Sequence, residues 1–102
     1  MDLSQISGVR WVHVFEEDMP GRAVYRPDSL DIPLSRRPRR RLELSEDGGA
    51  TLFTGGADDR FVAHRGAWRV EQDELALDFP DVNGGLHLRI LEATATRLIA
   101  SA

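Results

Sequence analysis

Short alternating runs of apolar and polar residues, each closed by a polar turn, organise the second half of this chain. Arg41-Leu42-Glu43-Leu44 leads into Ser45-Glu46-Asp47-Gly48-Gly49, and then into Ala50-Thr51-Leu52-Phe53-Thr54. Gly66-Ala67-Trp68-Arg69-Val70 leads into Glu71-Gln72-Asp73-Glu74, and then into Leu75-Ala76-Leu77-Asp78-Phe79. A period of two buries one face of a pleated strand and wets the other. Short strands recurring at this spacing, with a turn signal after each, predict an antiparallel β-sandwich or barrel.

The first half adds two strands. Val9 to Phe15 is rich in β-branched and aromatic residues, with Trp11, His13 and Phe15 on one face and Val12 and Val14 on the other. Glu16 to Gly21 breaks it, and Pro20-Gly21 is a turn signal. Arg22 to Arg26 is a shorter strand, stopped by Pro27. Residues 1–8 read as an arm. Residues 27–38 hold Pro27, Pro33 and Pro38 and read as an extended loop, because proline cannot donate to a ladder. Arg39 to Ser45 and Ala50 to Thr54 make a hairpin. The run from Arg60 to Val70 is apolar at odd positions early and at even positions late. Gly66 lies at that change of parity, and a bulge is expected there. Leu75 to Phe79, Leu86 to Leu91 and Thr96 to Ala100 complete about eight strands. The fold expected is all-β: a small antiparallel up-and-down barrel with Trp68, Val70, Leu75, Leu77, Leu88 and Ile90 inside. No segment carries a helical period of useful length.

A chain of 102 residues is expected to be a single domain over 1–102. There is no run of apolar residues long enough for a membrane helix, and no secretory signal is visible at Met1-Asp2-Leu3-Ser4. There is no cysteine, which removes disulfides, thiolate ligands and a cysteine nucleophile. Together these fit a cytoplasmic location. All 13 basic residues are arginine, a usage that reads as codon bias in a GC-rich bacterial genome. It also leaves no lysine for Schiff-base chemistry. The net charge of −4 argues against a general nucleic-acid binder and against an anionic membrane surface.

Arg36-Arg37-Pro38-Arg39-Arg40-Arg41 could grip phosphate or an acidic partner. The plainer reading is a solvated segment entering a strand, with Glu16-Glu17-Asp18 and Asp58-Asp59 available as internal partners. His13, His64 and His87 have no close ligand spacing, so no metal site is expected. Asp58 with Asp59, and Asp78 with Asp81, are the carboxylate pairs to check for acid/base chemistry, but each lies in or beside a turn. Gly55-Gly56 and Gly84-Gly85 precede no helix, and no serine sits in a nucleophile-elbow context. No catalytic set and no cofactor is expected.

Gly66-Ala67-Trp68-Arg69-Val70, Leu75-Ala76-Leu77, Leu88-Arg89-Ile90-Leu91 and Arg97-Leu98-Ile99 resemble the lipocalin-like, or calycin-type, small bacterial β-barrels. Trp11-Val12-His13 and Val24-Tyr25-Arg26-Pro27 are similar to a family of short bacterial proteins without assigned activity. Lipocalins carry glycine-x-tryptophan near the first strand, whereas here Gly8-Val9-Arg10-Trp11 is one residue longer. The resemblance implies a binding module for a small apolar or amphipathic ligand, with Trp11, His13, Phe15, Tyr25 and Trp68 at its wall. Two further classes stay open: a protein-interaction domain using a sheet edge or the proline- and arginine-rich loop, and a small barrel enzyme.

Overall fold

Wherever the alternation runs uninterrupted, a strand forms. A computed structural model describes residues 6–28, 32, 39–55, 60–72, 74–82 and 85–101. Within these, β1 spans Arg10–His13, β2 Arg22–Pro27, β3 Arg41–Leu44 and β4 Gly49–Gly55. β5 spans Phe61–Glu71, β6 Glu74–Phe79, β7 Leu86–Ala93 and β8 Leu98–Ser101. A single 3-10 turn covers Phe15–Glu17. No helix among these residues is long and apolar enough to cross a membrane. Most of the arm (1–5), most of the proline-rich loop (29–31 and 33–38, with Arg36 and Arg37), Gly56 to Asp59, and Gly84 lie outside the described residues.

The strands close into an antiparallel barrel in the order β1-β2-β8-β7-β6-β5-β4-β3, the all-β architecture expected from the alternation. β3 to β8 follow one another as a meander. The first hairpin departs from a pure up-and-down order, since β2 pairs with β8 while β1 pairs with β3. The long 28–40 connection permits this, because it joins Pro27, which ends β2 opposite Trp11, to Arg41, which starts β3 opposite Val12. The end carrying His13 and the start of β5 is called the upper end. The end carrying the β3–β4 turn is the lower.

Register sets the core. Trp11, Leu42, Leu52 and His64 form one cross-strand row, and Leu77 faces Leu88 while Leu75 faces Ile90. Trp11, Leu42, Leu52, Leu77 and Ile90 are fully buried. Each such side chain contributes ~1.5–3 kcal/mol relative to exposure. Val12, Val24 and Ile99 point outward by register yet are also buried, so the outer wall is covered at these three positions.

Three sequence expectations are corrected. First, β5 keeps one parity from end to end: its pairing with β4 runs through Gly66 without a register shift, and its pairing with β6 begins at Ala67 without one. Gly66 is needed for closeness, not for a bulge, since a Cβ there would meet the Asp78 carbonyl oxygen at 2.0 Å. The register shift lies instead between Ile90 and Glu92. Second, Val70 is 58% exposed rather than core. β4 begins at Gly49, opposite Ala67, so β5 overshoots it and Val70 has no neighbour on that side. Third, Phe15 leaves the strand for the 3-10 turn, and Pro27 ends β2 from within, opposite Trp11.

Candidate functional site

The upper end gathers four of the five residues singled out for a ligand wall. His13 ends β1 and Tyr25 lies opposite it on β2, so both point inward with ring centroids 5.2 Å apart. Phe15 meets the imidazole edge-on at 6.2 Å. Trp11, one inward position below His13, is fully buried and donates its indole N–H to the Ile6 carbonyl at 3.1 Å. It is floor, not mouth. His13 Nε2 sits 2.9 and 3.0 Å from the two Asp18 carboxylate oxygens, and Asp18 also accepts from the Val24 N–H at 2.9 Å. His13 is therefore neither an open pocket histidine nor a dry core one. It ties the turn after β1 to the barrel. Burial pushes the Tyr25 phenol above its ordinary pKa, while the Arg40 guanidinium beside it pulls the other way.

Trp68 is not part of this group. It belongs to the lower end, half-buried against the core, with its indole N–H donating to the Ser45 carbonyl at 2.7 Å. The histidines also remain apart. His64 meets Thr54 at 3.0 Å and Asp81 at 3.4 Å, while His87 meets Asp78. Asp78 is held below its ordinary pKa by Arg69 and then by His87, and Asp81 faces His64 instead. Asp58 and Asp59 lie outside the described residues. No group of histidine and carboxylate side chains among the described residues is arranged to hold a metal ion.

The arginine run was not legible as structure. Arg39, expected to be solvated, is the buried charged residue among the described ones. It donates to the His13 carbonyl at 3.0 Å and forks onto Glu16 at 2.8 and 2.6 Å, with its guanidinium 4.6 Å from the centre of the Phe15 ring. The Glu16 carboxyl is held at about 2, by Arg39 first and by its own backbone N–H second. Arg39 clamps the same turn that His13 and Asp18 secure, so this polar network accounts for itself as architecture.

Among the described residues, one edge of β5 lacks a strand partner over part of its length. Its pairing with β4 runs from Phe61 to Ala67, but its pairing with β6 starts only at Ala67. The next β6 position able to pair would be Pro80, opposite Arg65, and proline has no N–H to continue the ladder. The Trp68 N–H donates to the Gly48 carbonyl at 3.0 Å, so even-numbered residues of β5 direct their backbone groups toward β4. Phe61, Ala63 and Arg65 direct theirs outward, to no partner among the described residues. Phe61 and Val62 are 40% and 47% exposed, and Ala63 and Arg65 are exposed as well.

Beside this edge, on the outer face of β1, β3, β4 and β5, Arg10, Arg41, Phe53 and Phe61 line a cleft of about 200 Å³. A broader cleft of about 770 Å³ lies lower, among Arg10, Asp28, Glu43, Glu46 and Asp47. It is acidic apart from Arg10. The outer aromatic positions could be read from parity alone, because Phe53 and Phe61 stand where the polar face of β4 and β5 should be.

Comparison with protein-family models, with curated proteins and with solved structures gave no significant match for this chain.

Proposed function

We propose that this protein is an interaction module that receives an extended segment of a partner protein along the open edge of β5. The observation that carries the reading is the outward row of backbone donors and acceptors at Phe61, Ala63 and Arg65. Natural sheets protect such an edge with proline, lysine, a bulge or a cover, because a bare edge recruits another strand. Between Phe61 and Arg65 the strand carries no proline, lysine or bulge, and no described residue pairs with its outer edge. Added strands gain affinity from main-chain hydrogen bonds and specificity from alternate side chains. Arg60 and Arg65 stand along the edge without a carboxylate partner among the described residues, which favours an acidic segment. The alternative of an apolar ligand enclosed in the barrel has the packing against it, since Trp11, Leu42, Leu52, Leu77 and Ile90 fill its middle.

The test uses two short peptides, one alternating valine with glutamate and the other valine with lysine. NMR titration should show the glutamate peptide binding and slowing amide exchange at Phe61, Ala63 and Arg65. Ala63→Pro should abolish binding, because it removes an outward N–H and spares the β4 ladder. Equal binding of both peptides, or binding unaffected by Ala63→Pro, would overturn the proposal.

A further inference from the structure

We propose a second, independent site: the outer cleft between Arg10, Arg41, Phe53 and Phe61 binds a small aromatic monoacid. Three features of the cleft converge on that chemistry.

The first is an orphaned donor. Arg41 Nε is buried and has no hydrogen-bond partner among the described residues. A buried donor left unpaired costs ~1–3 kcal/mol, so a ligand acceptor there recovers what the free protein forgoes. A carboxylate suits the planar fork of a guanidinium better than any neutral acceptor.

The second is the local charge. Arg10 stands beside Arg41 at the cleft, but its Nε is bonded to Glu43 at 2.6 Å. Arg10 and Glu43 cancel, and Arg41 is the lining charge with no carboxylate partner among the described residues. A single positive charge pairs fully with a monoanion, whereas a dianion would carry a second, unpaired charge into the cleft.

The third is shape. Arg41 and Phe53 are directly opposed across β3 and β4, and the Arg41 guanidinium lies 4.9 Å from the centre of the Phe61 ring. That contact holds the fork in place and leaves the two phenyl groups as walls. The volume of about 200 Å³ is smaller than a drug-sized pocket and fits one ring with its acid. An aryl group contacts the walls while its carboxylate reaches Arg41.

NMR titration of the folded chain with benzoate, with benzamide as the neutral isostere, tests this. Benzoate should shift the ring resonances of Phe53 and Phe61, and benzamide should bind at least tenfold more weakly. Arg41→Gln should lower benzoate affinity by a similar factor, while Arg10→Gln should leave it within a few fold. The comparison of benzoate with benzamide needs no variant, so it stands even where a substitution perturbs folding. A peptide ending in free phenylalanine, set against its amidated form, separates two sources of the same chemistry. Carboxylate-dependent binding tighter than benzoate assigns the cleft to a chain terminus, and weaker binding assigns it to a free acid. Equal affinity for benzoate and benzamide, or no shift at Phe53 and Phe61, would overturn the proposal.

Discussion

Gly66 on β5 and Asp78 on β6 approach so closely that a single methyl group cannot fit between them: a Cβ on Gly66 would lie 2.0 Å from the Asp78 carbonyl oxygen and 2.8 Å from the Phe79 ring. This contact lies where the pairing of β5 passes from β4 to β6. Gly66→Ala should destabilise by about 3 kcal/mol or abolish folding, at the upper end of overpacking costs. Gly48→Ala provides the contrast. That glycine has φ +96° and open space, so alanine there should cost only ~1–2 kcal/mol of backbone strain. Urea melts measure both. A Gly66→Ala loss below about 1 kcal/mol would show that the strands can separate there.

The strand pattern was readable because period-two burial depends on little beyond sequence. Leu75, Leu77, Leu88 and Ile90 are buried as their alternation required. Val70 shares that alternation and is exposed, because strand length relative to the neighbour decides burial at a strand end. The change of parity at Gly66 suggests a bulge, and the structure has a close approach to Asp78 there instead. A bulge and a close approach leave the same letter in a sequence. Tyr25 stands opposite His13, whereas Trp68 lies at the other end, since which strand ends meet is a property of topology. The open edge of β5 was hidden because it depends on where β6 stops relative to β5. Pro80 marks that point only once the register is known.

The two tryptophans should report their different settings. In Trp68→Phe the remaining Trp11, fully buried, should emit in the blue and resist acrylamide quenching. In Trp11→Phe the half-buried Trp68 should emit further to the red and be quenched. Trp11→Ala should cost ~3–5 kcal/mol, as for large aromatics in cores. Trp68→Phe should cost about 1 kcal/mol for the lost bond to Ser45. A larger loss at Trp68 than at Trp11 would reverse the assignment.

Arg39→Met should destabilise by ~1.5–3 kcal/mol, the range for hydrogen bonds to charged groups, because the His13 carbonyl and Glu16 lose their common donor. Arg40→Met, at an exposed position, should change stability far less. Equal effects in a urea series would show that Arg39 is not a clamp.

Stability should fall at both extremes of pH for identifiable reasons. Glu16, held at about 2, and Glu17, Asp47 and Asp78, all lowered, are ionised in the folded state at pH values where the unfolded chain takes up protons. Their contribution is complete above the unfolded carboxyl values and is lost as pH falls toward the folded ones. Glu16→Gln should flatten the stability profile between about 4.5 and 2. At the other extreme Tyr25, the chain's one tyrosine, has a raised pKa. Its contribution is complete below the unfolded value of about 10 and is lost as pH rises beyond it. Tyrosinate absorbance should therefore appear above pH 10, together with loss of structure. An early, reversible titration in the folded protein would contradict the burial.

Amide hydrogen exchange along β5 tests the open edge most directly. The amides of Val62, His64 and Gly66, bonded to β4, should be protected, while those of Phe61, Ala63 and Arg65 should exchange at rates near those of an unstructured chain. Uniform protection across Phe61–Gly66 in the isolated protein would mean that the edge is already paired, and would contradict the account.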